Sequence, residues 1–193
     1  MENEEALIEQ LKQRDSHAFK TLVEKHKDRV FNTCLGFVHN REDAEDLAQE
    51  VFIQVFDSIE TFREEASLTT WIYQIAVAKS LELIRYRKRK KRWAFFRSMM
   101  NKEGKDPDRL AVDHYFEHPG LALEQKEQAN ILMKEIEKLT ENQRVAFTLQ
   151  KIEGLSYKEI ADVMETSVSA VESLIYRATK NLRKQLYDYY SNE

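Results

Sequence analysis

The chain has 193 residues, a formal net charge of −4, 42% hydrophobic and 33% charged residues, one cysteine, four glycines and two prolines. A single cysteine excludes an internal disulfide framework, and no apolar run approaches the ~20 residues of a membrane-spanning helix. So little Gly and Pro beside abundant Leu, Glu, Lys and Gln predicts an all-α fold, and the acidic start Met1-Glu-Asn-Glu-Glu5, unlike a signal peptide, points to the cytoplasm.

At this length the chain holds one domain or two small ones. Both prolines and two of the four glycines fall between Gly104 and Gly120, where periodicity is weakest. That stretch predicts a flexible linker between two small helical domains.

A short helix is expected over Ala6–Gln13, then a longer one from Ser16 to Val38 with Phe19, Leu22, Val23, His26, Val30, Phe31 and Leu35 along one stripe. Cys34 lies beside that stripe as a small core hydrophobe. Asn40 is a good N-cap, with the acids Glu42 and Asp43 suiting the helix start that follows. The third helix, Arg41 to roughly Ser58, buries Ala44, Leu47, Ala48, Val51, Phe52, Val55 and Ile59. Its other face carries Asp43, Asp46, Gln49, Glu50 and Gln54. From the residues alone that face reads as an ordinary solvated acidic surface; a catalytic carboxylate pair would need a cleft and supporting groups that are not visible.

A helix capped at Ser67 or Thr69 then runs through Trp71, Ile72, Tyr73, Ile75, Leu81 and Ile84 straight into a concentrated positive charge. Seven of the eight residues from Arg85 to Arg92 are Lys or Arg, the eighth being Tyr86, with Trp93 just beyond. Residues 1–84 sum to −8, 85–105 to +9 and 106–193 to −5, so the charge is local. Such a block attracts phosphate backbones whatever the base sequence, and neighbouring aromatics suit stacking on single-stranded bases. Part of the aromatic set is expected in the core instead. A solvated basic helix end is the bland alternative.

The last third has the clearest punctuation. Thr140-Glu-Asn-Gln143 and Ser156-Tyr-Lys-Glu159 both match the capping box. The first opens a helix through Val145, Ala146, Leu149 and Ile152; the second opens a short one burying Ile160, Ala161 and Met164. Ser167 or Ser169 caps a long final helix striped by Val168, Val171, Ile175, Ala178 and Leu182. Short helix, tight turn and long helix make a helix-turn-helix. Its outward face offers Ser169, Ala170, Glu172, Ser173, Tyr176, Arg177 and Lys180, with Arg183 and Lys184 further on for phosphates. A helical hairpin used only for packing is the plainer reading.

Gly-rich phosphate loops, His-Glu-x-x-His and CxxC are absent, and only His114 and His118 have metal-like spacing. No catalytic residue, metal or cofactor is expected.

Together these residues resemble the extracytoplasmic-function group of bacterial sigma factors, small members of the sigma-70 family that keep the σ2 and σ4 domains. The resemblance rests on Asp43-Ala-Glu-Asp-Leu-Ala-Gln-Glu-Val-Phe52, on Thr70-Trp-Ile-Tyr-Gln-Ile-Ala76 and the run from it to Arg85, and on Glu153-Gly-Leu-Ser-Tyr-Lys-Glu-Ile-Ala161 with Ala170-Val-Glu-Ser173 and Arg177-Ala178. It covers about Ala18 to Leu186 and implies a σ2 bundle over 1–92, a linker over 93–120 and a σ4 helix-turn-helix domain over 121–193. Asp43, Asp46, Gln49 and Glu50 would then dock on the clamp helices of core RNA polymerase. Trp71, Tyr73, Lys79, Arg85, Arg87, Lys88 and Arg89 would meet and open the −10 promoter element. The outward face from Ser169 to Lys180 would read the −35 element, with σ4 against the polymerase flap. An anti-sigma protein is the further partner it implies, and a small-molecule substrate is not expected. Two positions depart from the family: Ala78 stands where an Asn is common, and Leu68 where an aromatic is usual. Two other readings stay open: a stand-alone helix-turn-helix regulator that dimerises through its N-terminal helices, and a helical adaptor whose basic patch binds acidic proteins.

Overall fold

The computed structural model describes residues 2–63, 65–100 and 123–191, with side chains for 4–63, 65–93 and 131–187. Among them are eight α-helices and no strand: α1 (Glu2–Lys12), α2 (Ser16–Val38), α3 (Arg41–Ser58), α4 (Leu68–Met100), α5 (Leu123–Lys138), α6 (Glu141–Lys151), α7 (Tyr157–Val163) and α8 (Val168–Ser191).

Local chemistry sets most of these boundaries. α2 starts on Asp15, whose carboxylate accepts from the N–H groups of His17 (2.7 Å) and Ala18 (2.8 Å). It ends at His39, held in the left-handed region (φ 56°) with its N–H donating to the Leu35 carbonyl. Asn40 caps α3 by accepting from Asp43 N–H at 3.0 Å. Of the two candidates for α4 it is Ser67 that caps, accepting from Thr70 N–H at 3.1 Å. The Ser156–Glu159 box closes in both directions, Ser156 N–H to Glu159 Oε2 at 2.8 Å and Glu159 N–H to Ser156 Oγ at 3.3 Å. At the other box Thr140 N–H reaches Gln143 Oε1 at 3.4 Å.

α1, α2 and α3 pack with the first half of α4 around Leu22, Val30, Val51, Val55, Ile59, Leu68 and Ile72, all fully buried. Leu68 is core, so a smaller apolar residue at that position is a packing choice. His26 is buried on the α2 stripe, and burial beside Lys25 and Arg29 pulls its pKa down to about 4.

α6, α7 and α8 form the helix-turn-helix unit. α5 is not among the predicted elements. Its Leu132, Met133 and Ile136, with Leu139 just beyond its end, gather against Phe147 of α6 and Ala178 and Leu182 of α8. α4 is also longer than expected. It runs unbroken to Met100, so the linker expected at 93–120 begins inside a helix, and residues 101–122, with His114 and His118, lie outside the described residues.

The two halves are not separate beads. Leu149 of α6, Ile160 and Ala161 of α7 and Val171 of α8 belong to the same buried cluster as the N-terminal core. α6 lies on α2 and α7 on α4. Gly36 permits the first contact: a Cβ there would stand 2.9 Å from Ile152 Cδ1 and 3.0 Å from Thr148 Cγ2. Glycine inside a helix is ~1 kcal/mol less favourable than alanine. The close approach of α6 is what the missing side chain provides.

Candidate nucleic-acid and protein interface

α3 presents its acidic face to solvent. Asp46, Gln49 and Glu50 are exposed, Asp43 is half-buried, and Ile53 sits among them 60% exposed. Ile53 is an apolar side chain standing alone on this polar face. The sequence reading passed over Ile53, although it stands off the Ala44–Ile59 core stripe and was visible there as an apolar residue on the wrong face.

α4 changes character at Ile84. Before it, Ile72, Tyr73, Ala76, Val77 and Leu81 are buried; after it, no described side chain is. The helix therefore leaves the body and carries its charge bare. Lys88, Arg89, Lys90 and Arg92 are exposed and outside any described ion pair, and Tyr86 (53%) and Trp93 (73%) stand open beside them. Arg87 is bound to Asp43 of α3, and Lys79 lies 3.5 Å from Glu50. Arg85 makes a two-point contact with Glu141 at the start of α6, its Nε donating to Oε2 at 3.0 Å. The Arg85–Glu141 and Lys79–Glu50 pairs are exposed, and such pairs add little to stability.

The aromatic set divides as its burial dictates. Trp71 is half-buried, with its ring 5.0 Å from that of Phe62. Tyr73 is only 4% exposed, and burial raises the pKa of its phenol. A groove of about 1340 Å³ opens between the 61–70 loop, α1 and α7, with Trp71 and Gln74 on one wall and Lys158 and Asp162 on the other. Ala78 is exposed on α4.

α8 shows its outward face without obstruction. Ser169, Glu172, Ser173, Arg177 and Lys180 are exposed, Tyr176 is 68% exposed and Ala170 is half-buried. Ser167 caps the helix, accepting from Ala170 N–H at 3.2 Å. The turn before it is closed by Thr166 N–H on the Ala161 carbonyl at 2.9 Å, with Glu165 in the left-handed region (φ 51°). Glu172, Arg177 and Lys180 are exposed to solvent and enter no described ion pair.

The structure thus joins the first two predicted sets through shared ion pairs and leaves the third apart. No cluster of three or more His, Cys, Asp or Glu able to hold a metal occurs among the described residues. Cys34 is fully buried and its thiol is pushed up to about 11 by burial, which keeps it an inert core group. No helix among the described residues is long and apolar enough to cross a membrane.

The family model for sigma-70 region 2 matches residues 22–90 and that for sigma-70 region 4 matches 129–182. The RNA polymerase sigma-H factor of Pseudomonas aeruginosa is 31% identical over 188 residues, covering 96% of this chain and 94% of its own. The ECF RNA polymerase sigma factor SigW of Bacillus subtilis is 32% identical over 182 residues, covering 94% and 95%. The fold is shared with CnrH in complex with the cytosolic domain of CnrY (TM-score 0.66, 22% identity, 96% of this chain and 97% of that one). It is shared also with the sigma factor RpoE in complex with the anti-sigma factor NepR from Bartonella quintana (TM-score 0.59, 20% identity, 88% and 96%).

Proposed function

This chain belongs to the sigma-70 family of bacterial RNA polymerase sigma factors, in its extracytoplasmic-function group, and from that premise we propose how its surfaces divide the work of promoter recognition. As a sigma factor it directs core polymerase to particular promoters and assists their opening. Matches to both sigma-70 regions, in order, set aside a stand-alone regulator.

In this reading residues 1–92 bind polymerase and the −10 element, 121–193 read the −35 element, and 93–120 connect them. Asp43, Asp46, Gln49 and Glu50, with Ile53 as the apolar centre, dock on the clamp helices. Lys79, Arg85, Arg87, Lys88 and Arg89 hold the −10 phosphates beside Trp71 and Tyr73. The face from Ser169 to Lys180 enters the major groove at −35, with Arg177 and Lys180 as donors and Glu172 as an acceptor for cytosine N4. The protein works by binding, in the cytoplasm with its polymerase, and takes no cofactor. Its third partner is an anti-sigma protein covering the docking surfaces.

The observation that carries the reading is the change in α4 at Ile84, from buried packing to a bare basic helix, on a protein whose remainder is acidic. Net negative charge opposes DNA binding by the free chain. Polymerase relieves this by holding two weak DNA contacts at fixed separation, so that they add through effective concentration. In-vitro transcription with core polymerase on a pool of genomic promoters tests it, run beside DNA binding without polymerase. Specific transcripts should require both components, and charge reversal at Asp46 and Glu50 should abolish them. Tight, sequence-specific binding by the chain alone, with no initiated transcripts, would sink the reading.

A further inference from the structure

α4 continues well past what the core needs of it. Ile84 is its last described residue packed against the body, and the helix then runs from Arg85 to Met100, ~24 Å further. The first half of that extension is the basic block. The second half, Trp93-Ala-Phe-Phe-Arg-Ser-Met-Met100, holds six apolar residues out of eight and a single charge, Arg97. The roles proposed for α4 at the promoter leave these apolar residues without a task.

Helical register joins the two halves of the extension into one surface. Positions 86, 93 and 100 recur every seven residues and fall on one side, with 89 and 96 between them. That stripe reads Tyr86, Arg89, Trp93, Phe96 and Met100, and Arg87, Lys91 and Ser98 fall opposite. Where side chains are described the stripe is bare, Tyr86 being 53% and Trp93 73% exposed. Lys90 and Arg92 flank it, exposed and outside any described ion pair.

The phosphates of nucleic acid and of lipid would both answer these cations, and the apolar stripe separates the two. Tyrosine and tryptophan can stack on bases, but two methionines and two phenylalanines at the end of a bare helix are more than stacking uses. The boundary between headgroups and acyl chains takes all of them. Tyr and Trp favour that level, and the long stems of Lys and Arg let their charges reach back to the phosphates. Charge also orients the chain. Residues 85–105 sum to +9, against −8 before them and −5 after, so an anionic surface attracts this end and repels the body. Trp93 lies ~13 Å along the axis from Ile84, beyond the ~8 Å Debye length at physiological salt, which leaves the acidic body largely screened.

We propose that the end of α4, from Tyr86 to Met100, binds an anionic phospholipid surface, with Trp93 and Phe96 in the acyl boundary and Lys90 and Arg92 on lipid phosphates. This contact stands or falls apart from the promoter roles, since it needs neither polymerase nor DNA.

Flotation of the full chain with vesicles of phosphatidylcholine, with and without phosphatidylglycerol, tests it. The chain should float with the phosphatidylglycerol vesicles, stay behind with phosphatidylcholine alone, and be released by added salt. Its two tryptophans are Trp71 and Trp93, so in Trp71→Phe the signal left is that of Trp93, and its emission should move to shorter wavelength on the anionic vesicles. Trp93→Ser combined with Phe96→Ser keeps every charge and should weaken binding at least about tenfold. Lys90→Gln combined with Arg92→Gln keeps the stripe and should weaken it about twentyfold. These four positions follow the packed part of α4, and circular dichroism confirms that each variant is folded. Failure to float, or equal flotation on phosphatidylcholine alone, would overturn the proposal. Undiminished binding by Trp93→Ser with Phe96→Ser, or an unshifted Trp93 emission on the vesicles, would overturn it too, because cations alone would then account for the attraction.

Discussion

The two surfaces proposed to meet DNA are made in opposite ways. α8 is positioned by its own neighbourhood: a capped short helix, a four-residue turn and one apolar stripe aim its outer face at solvent, where Glu172, Arg177 and Lys180 enter no described ion pair. The α4 surface is shared property. Its arginines and lysine are answered by carboxylates from α3 and α6, and one of its aromatics lies beneath a loop from the other half. The α8 face is built by local sequence, whereas the α4 surface is shaped by contacts with distant segments.

The comparison can be broken hardest at the basic block. Replacing Lys88, Arg89, Lys90 and Arg92 together with alanine keeps helix propensity and touches no ion pair. It should weaken −10 strand binding in the holoenzyme by about two to three orders of magnitude, and flatten the salt dependence by about 3 in log–log slope, from ~0.7 per lost phosphate contact. An unchanged slope would mean these side chains do not meet phosphate.

A smaller and differently shaped loss is expected on α8. Arg177→Ala should cost about 1–3 kcal/mol at the −35 position it contacts, relaxing discrimination there while leaving binding to other sequences nearly unchanged. Equal weakening across all −35 sequences would recast Arg177 as a phosphate contact. Measuring promoter strength over a set of single-base −35 variants separates the two.

The smallest effect probes the seam between the halves. Glu153 faces Arg29 and Thr33 of α2, with Cys34 near by, and Tyr73 of α4; burial pushes its carboxyl up to about 7 from the ordinary 4.5. The folded protein thus keeps a proton that the exposed carboxyl of the unfolded chain releases near 4.5. Burial of Glu153 costs least at low pH, costs more as pH rises from 4.5 to about 7, and costs most above that. Glutamine imitates the protonated form, so Glu153→Gln should raise the melting temperature by a few degrees at pH 8 and hardly at all at pH 5. His26 and His39, held near 4 by burial, act in the other direction, their contribution being lost as pH falls from 6.5 to about 4. Both are present in parent and variant, and cancel in the difference. Equal stabilisation at both pH values would show that Glu153 is already ionised or neutral throughout.

Much of this was legible from the chain, and the reasons are particular. Asn40, Ser156, Thr140 and Ser167 state their helix starts through side chains within three residues of the N–H groups they serve. The stripe Val171, Ile175, Ala178, Leu182 states the face that α8 buries, and so the face that it shows. Where the reading fell short, the signal was spread or ambiguous. α5 has an apolar stripe, but it follows directly on the Pro and Gly cluster and its partner stripe is on α8. Trp71 and Tyr73 look alike on paper, two aromatics beside a basic run. One is half-buried against Phe62; the other lies beside a glutamate eighty residues away.

The sequence by itself determined the all-α class, the helix-turn-helix, the acidic face of α3 and the basic end of α4, because periodicity, caps and charge density act over a few residues and need no partner. Only the tertiary structure decided that Arg85 is answered by Glu141 and that α6 comes to rest on Gly36. Those are contacts between distant segments. No local propensity encodes them, and packing chooses them only when the whole core closes.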